Sequence, residues 1–311
     1  MHSKISVVVP LYNEEKSAAL LHKEVLSALK NLGLPFEIIF VDDGSKDNTF
    51  EEIKKLSPLI AIRLSRNYGQ TPALAAGLEK ATGDIIITLD GDLENDPADI
   101  PKLLKKLDEG YDVVSGWRRE RWRGQLFSRR LPSLAANWLI SFLTGAKLHD
   151  HGCTLKVYRR QALDNLKLSG EMHRMLAAYA KLFNGAKITE LPVNHRPRRF
   201  GYSKYGPLRS FKVILDLLAI NFFYRYSNRP MHFFGGLGFF SFFLGILSFM
   251  GMIYFKYALQ ITFIETPLPT LIALFAIIGV QFILMGLLAE LLLKQSVKPA
   301  AYLIKEELDN L

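Results

Sequence analysis

Two stretches of the chain leave almost no choice of structure. Phe233 to Phe255 and Leu268 to Ala289 each run for at least 22 residues without an Asp, Glu, Lys or Arg, and roughly 20 apolar residues suffice to cross a bilayer as a helix. In hydrocarbon every backbone N–H and C=O must be satisfied within the segment, which selects the α-helix. A short linker with Lys256, Glu265 and Pro267 separates the runs, and Pro269 lies just inside the second. The expectation is a transmembrane hairpin over 231–293, with helices at about 233–256 and 268–292. Arg225 and Arg229 precede it and Lys294 and Lys298 follow it; positive charge at both ends predicts that both face the cytoplasm. The tail 294–311 is expected to be cytoplasmic and, from Lys298 onward, a short helix without chemistry.

Residues 1–206 follow a different pattern. Apolar, β-branched runs at Ile5–Val9, Glu37–Val41, Ile60–Leu64, Asp84–Leu89 and Tyr111–Ser115 alternate with helix-length segments such as Lys16–Leu32, Gln70–Ala81 and Ala98–Glu109. This predicts an α/β domain with a mostly parallel sheet covered on both faces, whose ligands sit at the carboxyl ends of the strands. The unusual polar clusters fall there: Tyr12-Asn13-Glu14-Glu15, Asp42-Asp43-Gly44-Ser45 and Asp90-Gly91-Asp92. Two basic stretches, Arg118–Arg130 and Asn194–Lys204, lead into apolar-faced segments, Leu131–Leu143 and Leu208–Tyr224. These are predicted interfacial helices, at about 129–145 and over 207–230.

The net charge is +9, from 39 Lys plus Arg against 30 Asp plus Glu, which calls for an anionic partner such as a phosphate or an acidic membrane surface. Nucleic acid would account for the charge but not for the apolar runs or the Asp-x-Asp. One cysteine, Cys153, permits no internal disulfide. His149, His151 and His195 lack the spacing and cysteine partners of a zinc site.

Asp90, Asp92 and Glu94 alternate beyond an apolar strand, and carboxylates so placed can converge on Mg²⁺ or Mn²⁺ bridging to a diphosphate. The plain alternative is a solvated acidic turn. Asp47 reads as a helix cap; Asp42 suits the hydroxyls or base of a nucleoside. Arg66-Asn67-Tyr68-Gly69-Gln70 could be only a turn with a helix start. Neither G-x-G-x-x-G nor G-x-x-x-x-G-K occurs, so metal and arginine must neutralise any bound phosphates.

In this order the strings VVVPLYNEE, VDDGSKDNT, RNYGQ, LDGDLENDP and RRFGYSKY resemble the inverting family-2 glycosyltransferases of the GT-A nucleotide-sugar fold. Among them the chain is most similar to the polyprenyl-phosphate branch, which includes dolichyl-phosphate mannose synthases and bacterial bactoprenol-phosphate glucosyltransferases. The resemblance spans nearly the whole chain, hairpin included. It implies that Pro10, Tyr12, Glu14 and Asp42, with Asp43 and Asn67 beside them, hold the nucleotide sugar. It gives Asp90 and Asp92 to the metal, with Glu94 where the mannose synthases commonly have glutamine. Arg198 and Lys204 match the pair that grips the donor diphosphate, and Arg118, Arg129 and Ser133 match the acceptor-phosphate positions. Asp150 matches a family Asp, although Gly152-Cys153 departs from the usual order there.

The implied reaction is inverting transfer of a hexose to an undecaprenyl-type polyprenyl phosphate, with UDP-glucose the first expectation and UDP-N-acetylglucosamine, UDP-galactose, an aminoarabinose donor and GDP-mannose open beside it. It would occur at the cytoplasmic face of a bacterial inner membrane and feed cell-envelope glycosylation; the resemblance also allows a homo-oligomer. A hydroxyl nucleophile needs a general base, whereas a lipid phosphate already carries about −1.5 to −2 charge near neutral pH. It needs cationic cover instead, so no base is assigned, and Asp150 is the one candidate worth testing. Two other readings compete: a family-2 enzyme acting on a sugar hydroxyl, and a non-catalytic membrane scaffold. Processive polysaccharide synthases carry Q-x-x-R-W, which is absent, and intact acidic clusters argue against a degenerate scaffold.

Overall fold

The computed structural model describes residues 4–119, 137, 140–141, 144–164, 166, 168, 172–197, 229–295 and 302–310. The chain divides into two units: Met1–Leu218 with Ala300–Leu311, and Ala219–Pro299.

In the first unit eight strands form one sheet. β1 (Ile5–Leu11), β2 (Phe36–Asp42), β3 (Leu59–Leu64), β4 (Ile85–Thr88), β5 (Val113–Trp117), β6 (Lys156–Arg159), β7 (Ile188–Pro192) and β8 (Ile304–Asn310) stand in the order β7-β5-β6-β4-β1-β2-β3-β8. The central block β4-β1-β2-β3 is parallel. β6 runs antiparallel to both β4 and β5, and β7 returns parallel to β5. The helices are α1 (Ala18–Lys30), the short α2 (Thr49–Ile53), α3 (Gln70–Lys80), α4 (Ile100–Leu107) and α5 (Met172–Asn184).

The central strands are buried on both faces, as their unbroken runs of Val and Ile require. One core cluster joins Val7, Val9, Ile38 and Phe40 to α1 and α4 through Leu21, Val25, Leu103 and Leu107. The other joins Val8, Ile39, Val41 and Ile62 to α3 and α5 through Ala73, Leu74, Leu176 and Ala180. All five expected strands are present within two residues of their predicted ends.

The tail corrects an expectation. Residues 304–310 are not helical but form the edge strand β8, antiparallel to β3. Lys, Glu and Leu favour helix intrinsically, but the open edge of β3 supplies a full row of backbone partners, and tertiary context overrides propensity. The burial shows the strand's period of two: Glu306, Leu308 and Asn310 are partly buried, while Lys305, Glu307 and Asp309 are exposed. Lys54 pairs with Glu306 at 2.7 Å, Lys80 pairs with Glu307, and Asn310 Nδ2 donates to the Lys54 carbonyl at 2.9 Å.

The second unit contains the expected hairpin, α6 (Pro230–Ala258) and α7 (Leu268–Gln295). Small residues line the contact between them. A Cβ on Gly238 would lie 2.9 Å from the Gly279 carbonyl oxygen, and one on Gly279 would lie 2.9 Å from the Phe242 ring. Ser241 Oγ donates to the Phe275 carbonyl at 2.7 Å. Close backbone approach at small residues, sealed by a polar bond, is how helices associate where water supplies no drive. The outward faces stay apolar and exposed, with Phe239, Phe240, Leu284 and Leu291 among them. Of the interfacial segment 129–145, only positions 137, 140, 141 and 144 are described as helical; the segment 207–230 lies almost wholly outside the described residues.

Candidate active site

Three strand ends are stitched into one crevice. After β1 the chain turns at Asn13, whose φ is +53°. Asn13 N donates to Ser45 Oγ at 2.8 Å, its Oδ1 accepts from Lys46 N at 2.9 Å, and Glu14 N donates to Thr49 Oγ1 at 2.8 Å. After β2, Gly44 turns with φ +65°; a Cβ there would lie 2.3 Å from the Arg66 backbone carbon, so only glycine allows the 66–69 loop this close. Asp43 clasps that loop, its two oxygens accepting Tyr68 N at 2.8 Å and Gly69 N at 2.9 Å. Past β4, Gly91 sits against the end of β1: its missing Cβ would meet Leu11 at 2.3 Å and come 3.6 Å from Glu14 Cγ. Gln70 Nε2 closes the ring by donating to Asp90 Oδ1 at 2.5 Å.

Leu93 holds φ +62°, strained for a residue with a side chain, and that side chain is buried in the core. The kink brings Glu94 N to donate to Asp92 Oδ1 at 3.1 Å. Burial, reinforced by the charge of Asp92, pushes the Asp90 carboxyl up to about 6, while Arg118 and Arg174 pull the other way. Burial likewise raises Asp43 to about 6 and raises Asp42.

Two like charges forced together in a buried crevice are what a divalent cation would relieve, so Asp90 and Asp92 fit the expected metal. Among the described residues no three His, Cys, Asp or Glu side chains converge on one point. Glu94 follows that pair on the same turn, its backbone N–H bonded to Asp92.

The remaining expected residues divide as follows. Pro10, Tyr12 and Glu14 are part-exposed at the β1 end and Asn67 is exposed on the facing loop. Asp42 has no exposed surface: Oδ1 accepts Ser45 N at 2.9 Å and Arg63 Nε stands 3.3 Å from Oδ2. It braces the turn beneath the crevice.

Arg118 is 6% exposed and grips Asp150 with two bonds, Nε to Oδ2 at 2.8 Å and Nη2 to Oδ1 at 3.1 Å. Burial opposes its charge, but Asp150 outweighs that and holds the guanidinium above its ordinary value. Asp150 also accepts Gly152 N at 3.0 Å, so its carboxylate is held in place from two sides. Arg129, Ser133, Arg198 and Lys204 lie outside the described residues. The chain enters the stretch holding the last two alongside the acidic turn: Arg196 N donates to the Glu94 carbonyl at 2.8 Å and Arg196 Nη2 pairs with Asp96 at 2.7 Å.

Sequence reasoning missed Gln70, Lys156 and the α5 residues His173 and Arg174. Lys156 offered a signal, a lone cation inside the apolar run Leu155–Tyr158. It is fully buried and donates to the His151 and Arg174 carbonyls at 2.9 and 3.2 Å. Burial lowers its amine to about 8.

The model of the family described as "Glycosyl transferase family 2" matches residues 6–167. The dodecaprenyl-phosphate galacturonate synthase of Rhizobium johnstonii is 40% identical over 320 residues, covering 99% of this chain and 94% of that protein. The undecaprenyl-phosphate 4-deoxy-4-formamido-L-arabinose transferase of Salmonella paratyphi B is 38% identical over 293 residues, covering 92% and 87%. Among solved structures, glucosyl-3-phosphoglycerate synthase from Mycobacterium tuberculosis, in complex with Mn²⁺ and UDP-glucose, superposes with a TM-score of 0.54. It is 23% identical and covers 70% of this chain and 78% of its own.

Proposed function

The chain belongs to glycosyl transferase family 2, in its polyprenyl-phosphate branch, and from that premise we propose that it moves a sugar from a nucleotide donor onto the phosphate of a membrane polyprenol. The observation that carries the reading is the crevice, where the ends of β1, β2 and β4 meet around Asp90 and Asp92 with Arg118 close enough for its charge to act on Asp90. Anionic and cationic groups are thus adjacent, as transfer between two phosphate-bearing substrates requires.

The part-exposed Pro10, Tyr12 and Glu14 and the exposed Asn67 are suited to line the nucleotide-sugar site. Asp42 and Asp43 set its turns. A divalent cation held by Asp90 and Asp92, as the Mn²⁺ of the M. tuberculosis relative suggests, would take up charge on the departing diphosphate. Arg118, fixed by Asp150, together with Arg129 and Ser133, would cover the acceptor phosphate, and Arg198 and Lys204 the donor diphosphate. An ionised phosphate attacks without a base, which leaves Asp150 free to serve as anchor.

The hairpin supports a site at a membrane surface, and the return of Ala300–Leu311 to the same unit as Met1–Leu218 supports placing both ends of the hairpin on one face. Named relatives carry galacturonate and formamido-arabinose, so glucose becomes one member of a donor set. The test is a panel of nucleotide sugars (UDP-glucose, UDP-galacturonate, UDP-N-acetylglucosamine and a formamido-arabinose donor) with purified protein, Mn²⁺ and polyprenyl phosphate. A lipid-linked sugar from one donor is the expected product. Transfer to a free sugar hydroxyl but never to polyprenyl phosphate would overturn the reading.

A further inference from the structure

Arg174 is near enough for its charge to act on Asp90, and it comes from an element that none of the strand-end motifs supplies. Arg174 lies in the first turn of α5, where every residue from Met172 to Ala180 is buried except Arg174 itself, which keeps part of its surface. Its position is fixed from two directions. Its backbone carbonyl accepts the buried Lys156 Nζ at 3.2 Å, and Lys156 stands opposite Thr88, two residues before Asp90. Its side chain donates from Nε to His173 Nε2 at 3.3 Å.

A guanidinium can only donate, so His173 Nε2 is the acceptor and the ring proton sits on Nδ1. That proton is given to Thr71 Oγ1 at 2.7 Å. Thr71 follows Gln70, which bonds Asp90. One line of contacts therefore runs Arg174–His173–Thr71 and ends beside the acidic pair through Gln70. Desolvation, with the charges of Arg174 and Lys156 nearby, holds the imidazole down to about 3, so it stays a neutral acceptor at working pH. Freezing an arginine costs rotamer freedom, and a side chain oriented beforehand binds a phosphate oxygen with that cost already met.

The geometry points to Arg174 as a ligand-binding residue that takes a phosphate oxygen in the crevice beside Asp90, with His173 and Thr71 as its positioning residues. This rests on the phosphate-to-phosphate transfer proposed above, and the phosphate is either that of the donor diphosphate or that of the polyprenyl acceptor. The competing structural role is simple neutralisation of Asp90.

The experiment uses the full chain in detergent and two arms. The first measures binding of uridine diphosphate and guanosine diphosphate with Mn²⁺ by calorimetry. The second measures the KM for a short-chain polyprenyl phosphate in transfer. Arg174→Gln should weaken one arm by about tenfold or more, the loss of a charge-assisted hydrogen bond, and leave the other within twofold; the affected arm names the source. Arg174→Lys, which keeps charge and guards against misfolding, should fall between. His173→Gln retains an acceptor near the Nε2 position and should preserve affinity, whereas His173→Asn does not and should lose it in the same arm, at matched melting temperatures. The inference is overturned if Arg174→Gln leaves both arms within twofold, or if the two His173 variants weaken binding only in step with their loss of stability. Failure of the wild type to load polyprenyl phosphate would sink the transfer reading instead, and the diphosphate arm would still report on Arg174.

Discussion

At the scale of single residues, the acidic turn and a buried glutamate make separate predictions. Asp92 shares its environment with Asp90, and removing it leaves a cation one carboxylate. Asp92→Ala should lower transfer by at least about a hundredfold, the scale on which charge stabilisation at a departing group operates, with membrane insertion unchanged in a fractionation assay. Glu37 lies on β2, away from the crevice. Burial would raise its carboxyl, but hydrogen bonds from Lys4 at 2.5 Å, Ser6 at 2.5 Å and the Thr82 amide at 2.6 Å outweigh it and bring it down to about 2. A carboxyl lowered on folding stabilises above its ordinary value of 4.5 and loses that contribution as pH falls toward 2. Glu37→Gln should cost about 2 kcal/mol at pH 7 and flatten the decline in melting temperature between these limits. A parallel acid profile in wild type and variant would contradict the assignment.

At the scale of elements, β8 is the piece with the most to test. It covers the edge of β3, and Leu303 just before it accepts Ser65 N at 2.9 Å, at the entry to the loop that Asp43 holds. Leu308 packs against the core beneath β3. Leu308→Ala should destabilise by about 1 kcal/mol, less than a fully buried leucine would because Leu308 is only partly buried. Deleting 304–310 should go further and bare a strand edge prone to pairing with other chains. Thermal unfolding and light scattering of the two variants check both statements.

At the scale of the whole molecule, a strand that follows the hairpin yet belongs to the sheet that precedes it requires an even number of membrane crossings between them. Reporter fusions at the N-terminus and after residue 311 should therefore report the same compartment; opposite compartments would break the link between α6, α7 and the topology. Much of this organisation was legible without coordinates. The strands, the strand-end motifs and the two apolar helices were readable because hydrophobic period and run length are local properties that packing then exploits. Four features were not. The edge strand hid behind helix-favouring residues, since the vacancy it fills belongs to β3. The burial of Asp42 and the bonding of Arg118 to Asp150 join positions far apart in the chain. The line of contacts from Arg174 through His173 to Thr71 exists only because α3 and α5 pack side by side. Sequence alone determined which groups follow the strand ends and which segments are apolar enough for lipid; the folded sheet decided which charges are buried and which hold one another, because pairing across long separations depends on distances that no local pattern encodes.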